Sequence, residues 1–375
     1  MELLRIFGTE YKEMTKALLE EANLISMIPS QDSMVGIKPN LVAPSPAMFG
    51  ATTHPEIVAG IIEYLKEHGH SKIIIAEGSW VGDKTSEAYE VCGYKSLCEA
   101  YDVPFFDTQK DSSHEVDCAG INLKICDVVD TIDFMINVPV LKGHCQTNVT
   151  CALKNMKGLI PNTEKRHFHT MGLHKPIAHL SVGIHQDFIV VDHICGDLDF
   201  EEGGNPVTTN CIMAATDPVM VDALACDIVG VTLEDVPYIS MAQSLGSGSA
   251  DLSQLVIKTL PGINDDNQSI SSKPYTKDIA CGIRDKKILK VAYSVDEVDS
   301  CSACYANLIP ALLRLEEEGL LNNLNDKISI GQGHQGQGGK IGVGRCTANH
   351  DFCIMGCPPD EDKIYEELKT YLLTK

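Results

Sequence analysis

The stretch THPEIVAGIIEYLKEHGHSKIIIAEG, Thr53 to Gly78, predicts one amphipathic helix followed by one buried strand. Apolar residues recur at helical spacing through its first half, at Ile57, Val58, Ile61, Ile62 and Leu65. Thr53 is expected to cap this helix, Pro55 to lie in its first turn and Gly69 to follow its end. The run KIIIAEG at 72–78 is short and β-branched, which is typical of a strand covered on both faces.

Similar strand patterns occur on both sides of this unit. They are VGIKPNLV (35–42), VPFFD (103–107), FMINVPV (134–140), FIVVDHI (188–194) and CIMAA (211–215). Strands that alternate with helices predict a layered α/β fold with a largely parallel sheet. We expect this α/β domain to span 1–260, a linker rich in Asp, Ser, Lys and Gly to span 261–300, and a small cysteine-rich metal-binding module to span 301–375.

The chain is strongly acidic, with a formal net charge of −22. Such a charge repels phosphates and anionic lipid, so neither nucleic acid nor a membrane surface is expected as a partner. The N-terminal residues MELLRIFGTEYKEM lack the pattern of a signal peptide, and no apolar run approaches about 20 residues. We therefore expect a cytoplasmic, non-membrane protein.

One segment of this acidic chain is basic. Between 134 and 186 there are five lysines, Arg166 and six histidines, whereas the only acid is Glu164. Within it, Lys154 and Lys157 are three residues apart and share one face of a short predicted helix. Two neighbouring ammonium groups repel each other unless an anion lies between them, so the segment predicts a pocket for a phosphate or carboxylate ligand. Alternatively, these lysines pair with acids from elsewhere in the chain and only balance charge.

Polar residues at or just beyond strand ends extend this predicted pocket, because ligands of parallel sheets bind beyond the carboxyl ends of the strands. The candidate ligand-binding residues are Lys38, Asn40, Glu77, Lys154, Asn155 and Lys157. The candidate catalytic residues are Lys142, His144, His169 and Asp192. His169 is a possible proton donor or metal ligand, and Asp192 is either an active carboxylate or a partner of Lys142.

Two further acids of interest, Asp217 and Asp222, lie in ATDPVMVDALACDIVG, at 215–230. Asp217 precedes Pro218 and is expected to cap a helix, because its carboxylate can accept bonds from free backbone N–H groups. Asp222 lies among apolar neighbours, so it either pairs with a lysine of the pocket or contributes to the structure of the helix.

The C-terminal cysteines predict a metal centre. Most of the fifteen cysteines lie beside apolar residues and are expected to be buried, but five are concentrated in the last quarter of the chain. In a protein that is not secreted, clustered thiols indicate metal rather than disulfides. The preferred ligands of a [4Fe–4S] cluster are Cys301, Cys304, Cys346 and Cys357, with Cys353 as a substitute for Cys346. Zinc is the alternative, since four thiolates bind it equally well.

The glycine-rich stretch GQGHQGQGGKIGVGRC, at 331–346, contains the spacing GxGxxG. A dinucleotide site requires a helix to begin there, with its amino end facing the pyrophosphate. More glycines follow instead, so we reject a dinucleotide site.

Three segments carry a resemblance to a known family: INVPVLKGHCQTNVTCALKNMKGLIPNTEKRHFH, VVDHICGDLDFEEGGNP followed by ATDPVMVDALACDIVG, and THPEIVAGIIEYLKEHGHSKIIIAEGS. Over roughly 30–250 the chain resembles the uncharacterised domain of unknown function numbered 362. That resemblance implies an iron–sulfur module, which members often carry, but no established reaction. A fainter similarity, around 54–79 and 154–161, is to the nickel-pincer lactate racemase family.

Two hypotheses follow. In the first, the chain is an iron–sulfur protein that acts in redox chemistry or electron transfer with a partner protein, and its basic pocket binds a small anionic substrate or cofactor. In the second, it is a non-redox isomerase resembling the racemases, or a binding module, and its metal is structural.

Overall fold

The structure is a computed structural model that describes residues 1–263, 269–276, 287–300 and 302–374. The chain divides into two compact units, Met1–Ile283 and Arg284–Lys375. Within the described ranges, none of the helices combines the length and the apolar character needed to span a bilayer.

The first unit is built on one large sheet. Its strands are β1 (Glu2–Phe7), β2 (Val35–Lys38), β3 (Ile73–Glu77), β4 (Phe105–Asp107), β5 (Ser113–Asp117), β6 (Asn122–Cys126), β7 (Phe134–Asn137), β8 (Lys142–His144), β9 (Asn148–Thr150), β10 (Phe188–His193), β11 (Cys211–Ala215), β12 (Val256–Thr259) and β13 (Ser271–Pro274). The nine strands of the sheet follow the order β13-β12-β1-β11-β10-β7-β2-β3-β4, while β5–β6 and β8–β9 are separate hairpins. The strands from β10 to β4 in this order are mutually parallel, so their carboxyl ends share one edge. The predicted α/β fold with a largely parallel sheet is confirmed.

Helices cover both faces of the sheet. They are α1 (Tyr11–Glu21), α2 (Pro55–Glu67), α3 (Thr85–Val91), α4 (Tyr94–Tyr101), α5 (Ala152–Asn155), α6 (Asn162–Thr170), α7 (His174–Gly183), α8 (Pro218–Val229) and α9 (Pro237–Ser244). Successive residues of a strand point to opposite faces, so Val190 packs with the core under α1–α4 and Val191 with the core under α5–α9. This double coverage explains why the strands are apolar throughout rather than alternating.

The helix–strand unit that the sequence indicates at Thr53–Gly78 forms as α2 and β3, with Pro55 in the first turn and Gly69 just after the helix at φ +85°. The expected cap is wrong, because the N-cap residue is His54 and it makes no side-chain cap. The hydroxyl of Thr53 instead donates to the carbonyl of Val138 and accepts from the backbone of Asn40. Thr53 therefore ties the loop after β2 to the end of β7.

The second unit has a small parallel sheet of its own. Its strands are β14 (Val295–Glu297), β15 (Ile328–Ile330), β16 (Ile341–Val343) and β17 (Phe352–Ile354), and its helices are α10 (Ser302–Glu317) and α11 (Glu361–Leu373). Buried leucines of the two helices, such as Leu312 and Leu368, supply its core. A single turn of 3₁₀ helix, Gln332–His334, follows β15, and no α-helix begins within the glycine-rich stretch.

Parts of the predicted linker 261–300 have regular structure. Residues 271–274 form β13 at the edge of the large sheet, and 295–297 form β14 in the second unit. Other parts of the linker, 264–268 and 277–286, lie outside the described residues. The boundary between the two units falls within the predicted linker.

Asp217 caps α8 as expected, since its Oδ1 accepts from the backbone N–H groups of Val219 and Met220 and its Oδ2 from Ser249. Asp217→Ala should lower the free energy of unfolding of the first unit by about 1–2 kcal/mol. Urea unfolding followed by the fluorescence of Trp80, the single tryptophan of the chain, measures this. Asp251→Ala is the matched control, because it caps only a three-residue turn, and equal losses in both variants would contradict the assignment.

Candidate functional site

A buried ion pair lies where β2 and β3 end. Lys38 Nζ is 2.6 Å from Glu77 Oε2 and also donates to the carbonyl of Pro39. Both side chains are buried. Burial lowers the pKa of Lys38, and the charge of Glu77 opposes that change. Glu77 accepts further bonds from the backbone of Leu41 and Gly78, so the pair fixes the loops after both strands.

Side-chain amides form a hydrogen-bonded chain along the same edge. Asn40 Nδ2 donates to Asn155 Oδ1 at 2.9 Å, and Asn155 Nδ2 donates to Asn137 Oδ1 at 2.7 Å. Asn137 Nδ2 in turn donates to Gln186 Oε1 at 2.6 Å. All four side chains are buried. The chain orients Asn40, whose Oδ1 then accepts from Lys142.

The β8–β9 hairpin places Lys142 and His144 beyond the carboxyl edge. Lys142 Nζ donates to the carbonyls of Ala51 and Glu201 and to Asn40 Oδ1. Burial lowers the pKa of Lys142 to about 8. His144 Nδ1 accepts from the backbone N–H groups of Gln146 and Thr147, which leaves Nε2 as the nitrogen that carries the proton.

The carboxylate of Glu201 lies between His144 and Lys154. His144 Nε2 is 2.9 Å from Glu201 Oε2, and Lys154 Nζ donates to Glu201 Oε1 and to Thr150. Burial favours the neutral form of Glu201, but Lys154, His144 and Lys142 together hold its pKa well below the ordinary value. Burial and Lys154 lower the pKa of His144 to about 4, so its imidazole is neutral at physiological pH. Glu201 is one of the site residues that the sequence did not predict.

Lys157 and His169 lie next to this group without a carboxylate of their own. Lys157 makes no hydrogen bond or ion pair with the residues that the structure describes, and its Nζ lies 5.8 Å from the centre of the Phe168 ring. Burial and the charge of Lys154 lower the pKa of Lys157 to about 7. Burial and the charge of Lys157 lower the pKa of His169 to about 3. His169 Nδ1 is buried and has no partner in the described ranges.

A fifth lysine at this edge, Lys165 of α6, was absent from the predicted pocket. Its Nζ donates to the carbonyls of Gly78 and Ser79 at 2.9 and 2.7 Å, and burial lowers its pKa to about 8. Gly158, between α5 and α6, lets the backbone pass close to Glu77, because a Cβ at this position would lie 1.9 Å from Glu77 Oε1.

Asp192 lies at the same edge but is not a partner of Lys142. Its Oδ2 accepts from both the backbone N–H and Nδ1 of His54, each at 2.8 Å. Asp222 pairs with none of the lysines in the described residues either. Its carboxylate accepts from the backbone of Ala152 and Leu153 at the start of α5, and burial raises its pKa to about 7. The structural role predicted for Asp222 is therefore confirmed, although the helix it stabilises is α5.

The second unit holds the described members of the predicted metal centre. Cys304 lies in the first turn of α10, Cys346 follows β16, Cys353 is in β17 and Cys357 follows it. Cys353 Sγ is 3.6 Å from the carbonyl oxygen of Gly344, and Cys304 Sγ lies close to the same glycine.

In the described part of the chain, no three side chains of His, Cys, Asp or Glu are arranged to hold a metal ion. Cys301, the first predicted ligand, lies outside the described residues. The described thiols alone thus do not form a metal site, and the cluster stays a prediction.

These features define an α/β protein with a buried cluster of lysines and carboxylates at the carboxyl edge of a parallel sheet. The chain belongs to the family described as domain of unknown function 362 (DUF362), which matches residues 35–227.

A curated relative is a thylakoid-associated protein of Synechocystis sp., 24% identical over 243 residues, which are 62% of this chain and 74% of that protein. Among solved structures, the lactate racemase apoprotein from Thermoanaerobacterium thermosaccharolyticum matches with a TM-score of 0.39 and 13% identity, over 57% of this chain and 54% of that one. A Thermotoga maritima protein matches with a TM-score of 0.34 and 12% identity, over 64% and 60%. The matched region spans little more than half of either solved chain.

The low pKa of His144 predicts a loss of stability in acid. The unfolded chain, with a histidine pKa near 6.5, binds a proton more readily than the folded one, so the contribution of His144 is complete above about pH 6.5 and is lost as the pH falls toward 4. Between pH 7 and pH 5 the wild type should lose on the order of 2 kcal/mol more unfolding free energy than His144→Gln. Urea unfolding followed by Trp80 fluorescence measures the difference. His185→Gln, at a side chain that is 83% exposed, should behave like the wild type, and equal acid sensitivity in all three proteins would contradict the assignment.

Proposed function

We propose that this protein is an iron–sulfur redox or electron-transfer protein whose first unit binds a small substrate or cofactor bearing a carboxylate or phosphate. The observation that carries the anion site is the position of Glu201. Its carboxylate lies between Lys154 and His144, at the edge where ligands of parallel sheets bind. A ligand carboxylate or phosphate oxygen binds at the place that the Glu201 side chain takes here.

The lysines around Glu201 carry more positive charge than this one carboxylate balances, which supports a second anionic group on the ligand. Lys142, Lys154 and Lys157 lie around one ionised carboxylate, that of Glu201. The neighbouring Glu202 does not compensate, because burial and the charge of Glu201 raise its pKa to about 8. Lys157 is partly buried, and an ammonium group without a partner in such a position is unfavourable, so an anionic ligand beside it stabilises its charged form.

Glu201 lies in a loop whose anchoring does not depend on the Glu201 side chain. It belongs to a loop between β10 and β11 that Asp197 anchors, since that carboxylate accepts from the backbone of Asp199, Phe200 and Asn205. Rotation of the Glu201 side chain alone therefore frees Lys154 and His144 for a ligand. The loop residues before and after Glu201 are held by hydrogen bonds to Asp197, and these bonds do not involve the Glu201 side chain.

The redox part of the proposal rests on the second unit. Cys304, Cys346 and Cys357 all follow carboxyl ends of its parallel strands, which is where a ligand of such a sheet binds. A [4Fe–4S] cluster would be held by these three with Cys301, or with Cys353 in place of Cys346, and when bound it transfers single electrons to a partner protein.

A non-redox isomerase is the second candidate, and the pair Lys157 and His169 favours it. With pKa values lowered to about 7 and about 3, these groups offer a half-protonated amine and a neutral imidazole beside the proposed anion site. Such a pair suits removal and return of a proton at a carbon next to a carboxylate. In that case the metal of the second unit is structural, and zinc serves as well as iron.

Removal of Glu201 should make room for added anions. We expect Glu201→Ala to be less stable than the wild type in anion-free buffer, because Lys154 and His144 lose their partner. Acetate or phosphate should then raise its melting temperature more than that of the wild type, since a ligand that binds only the folded state stabilises it. Differential scanning fluorimetry over a range of anion concentrations measures both effects.

Two lysine variants serve as controls for the anion shift. In the Glu201→Ala background, Lys154→Ala should abolish the shift, whereas Lys175→Ala, at an exposed lysine of the same basic segment, should leave it unchanged. A shift of the same size in all these proteins would mean a general salt effect and no anion site.

Anaerobically purified protein should contain iron and labile sulfide and show visible absorbance that dithionite bleaches. Cys357→Ser should remove that absorbance while Trp80 fluorescence reports a folded first unit, because the two units are separate compact bodies. An unchanged spectrum would move the ligand role to Cys353. About one zinc per chain without sulfide would exclude the redox function and leave the isomerase.

A further inference from the structure

A second group of reactive side chains lies where β10 ends and α2 begins. Asp192 accepts two hydrogen bonds from His54, one from its backbone and one from Nδ1. These bonds fix the imidazole so that Nε2 faces Cys195, at a distance of 3.8 Å from Sγ. Asp192 is fully buried, the side chain of His54 is 12% exposed and Cys195 is 7% exposed. The order carboxylate, imidazole, thiol is the arrangement that activates a nucleophile.

Asp192 sets the charge of His54. Burial opposes protonation of the ring, but Asp192 outweighs it and raises the pKa of His54 to about 10. The imidazolium therefore faces Cys195 at neutral pH. The other titratable groups here are Tyr11 of α1, whose ring packs edge-on at 5.5 Å, Glu56 in the first turn of α2, and Tyr94 of α4, whose hydroxyl donates to the carbonyl of Thr53.

We propose that Cys195, His54 and Asp192 form a reactive thiol site at which the Cys195 thiolate is oxidised by hydrogen peroxide. The thiolate sulfur attacks one peroxide oxygen, so that an S–O bond forms and the O–O bond breaks. The sulfur loses two electrons and becomes a sulfenic acid, and the peroxide is reduced. The departing hydroxide takes the Nε2 proton of His54 and leaves as water. Asp192 is a positioning residue, since it holds the imidazole and does not contact the peroxide.

The chain contains a matched control thiol. Cys92 is also buried and its sulfur likewise faces backbone carbonyls, those of Ser45 at 3.2 Å and Ala43 at 3.6 Å. Cys195 has the carbonyl of Ala47 at 3.4 Å. The two thiols differ in that Cys195 faces a histidine, while burial raises the pKa of Cys92.

The test treats the full-length protein with hydrogen peroxide, stops the reaction with catalase and alkylates the remaining thiols after denaturation without reductant. Peptide mass spectrometry then gives a separate oxidation rate for each cysteine. At pH 7 we expect Cys195 to be oxidised roughly tenfold faster than Cys92 or more. His54→Gln should lower the Cys195 rate by a similar factor, and Asp192→Asn should lower it too, because that change removes the charge that keeps His54 protonated.

The rate of Cys92 reports whether a variant is folded, because local unfolding would make both thiols reactive. Should His54→Gln unfold, the wild-type pH profile decides: the imidazolium of His54 persists at pH 6, so the Cys195 rate should exceed the Cys92 rate by a larger factor at pH 6 than at pH 7. Equal rates for the two thiols, a Cys195 rate that His54→Gln leaves unchanged in a folded variant, or parallel pH profiles would each overturn the proposal.

Discussion

A buried ammonium group requires hydrogen-bond acceptors, and four buried lysines impose this requirement on the carboxyl edge of the large sheet. Two of them, Lys38 and Lys154, are matched by carboxylates. The other two, Lys142 and Lys165, are matched mainly by backbone carbonyls of the loops around them. The loops after β2, β3 and β10 therefore take their shape from these lysines. The contacts that satisfy the buried lysines are thus also the contacts that hold the loops of the candidate site in place.

The sequence predicted the elements well because their signals are local. The apolar spacing of α2, the β-branched runs of the strands and the cap at Asp217 each depend on residues within one or two turns. The position of a polar residue at a strand end also predicted that it would lie in the candidate site, because the carboxyl ends of parallel strands meet at one edge of the sheet. Lys38, Glu77, Lys142 and His144 were found in this way.

Pairings across long separations were not predictable from the same signals. Glu201 is 47 residues from Lys154, and neither the lysine spacing nor the acidic pair EEGG indicates that they meet. Lys165 follows Glu164 in a polar helix, where a lysine is normally at the surface. His54 and His144 show the limit most plainly, because one is charged beside Asp192 and the other neutral among lysines. Composition around each histidine does not reveal which partner reaches it.

The position of β1 has a consequence for synthesis on the ribosome. The first strand of the chain lies inside the sheet, between β11 and β12, with Glu2 opposite Val256. It leaves the ribosome before either neighbour, since both are made more than 200 residues later. Until then the backbone N–H and C=O groups of β1 have no partner strand, and the part of the sheet that contains β1 cannot form. The nascent chain therefore carries an open strand edge until those strands are made, which is a condition that favours chaperone binding.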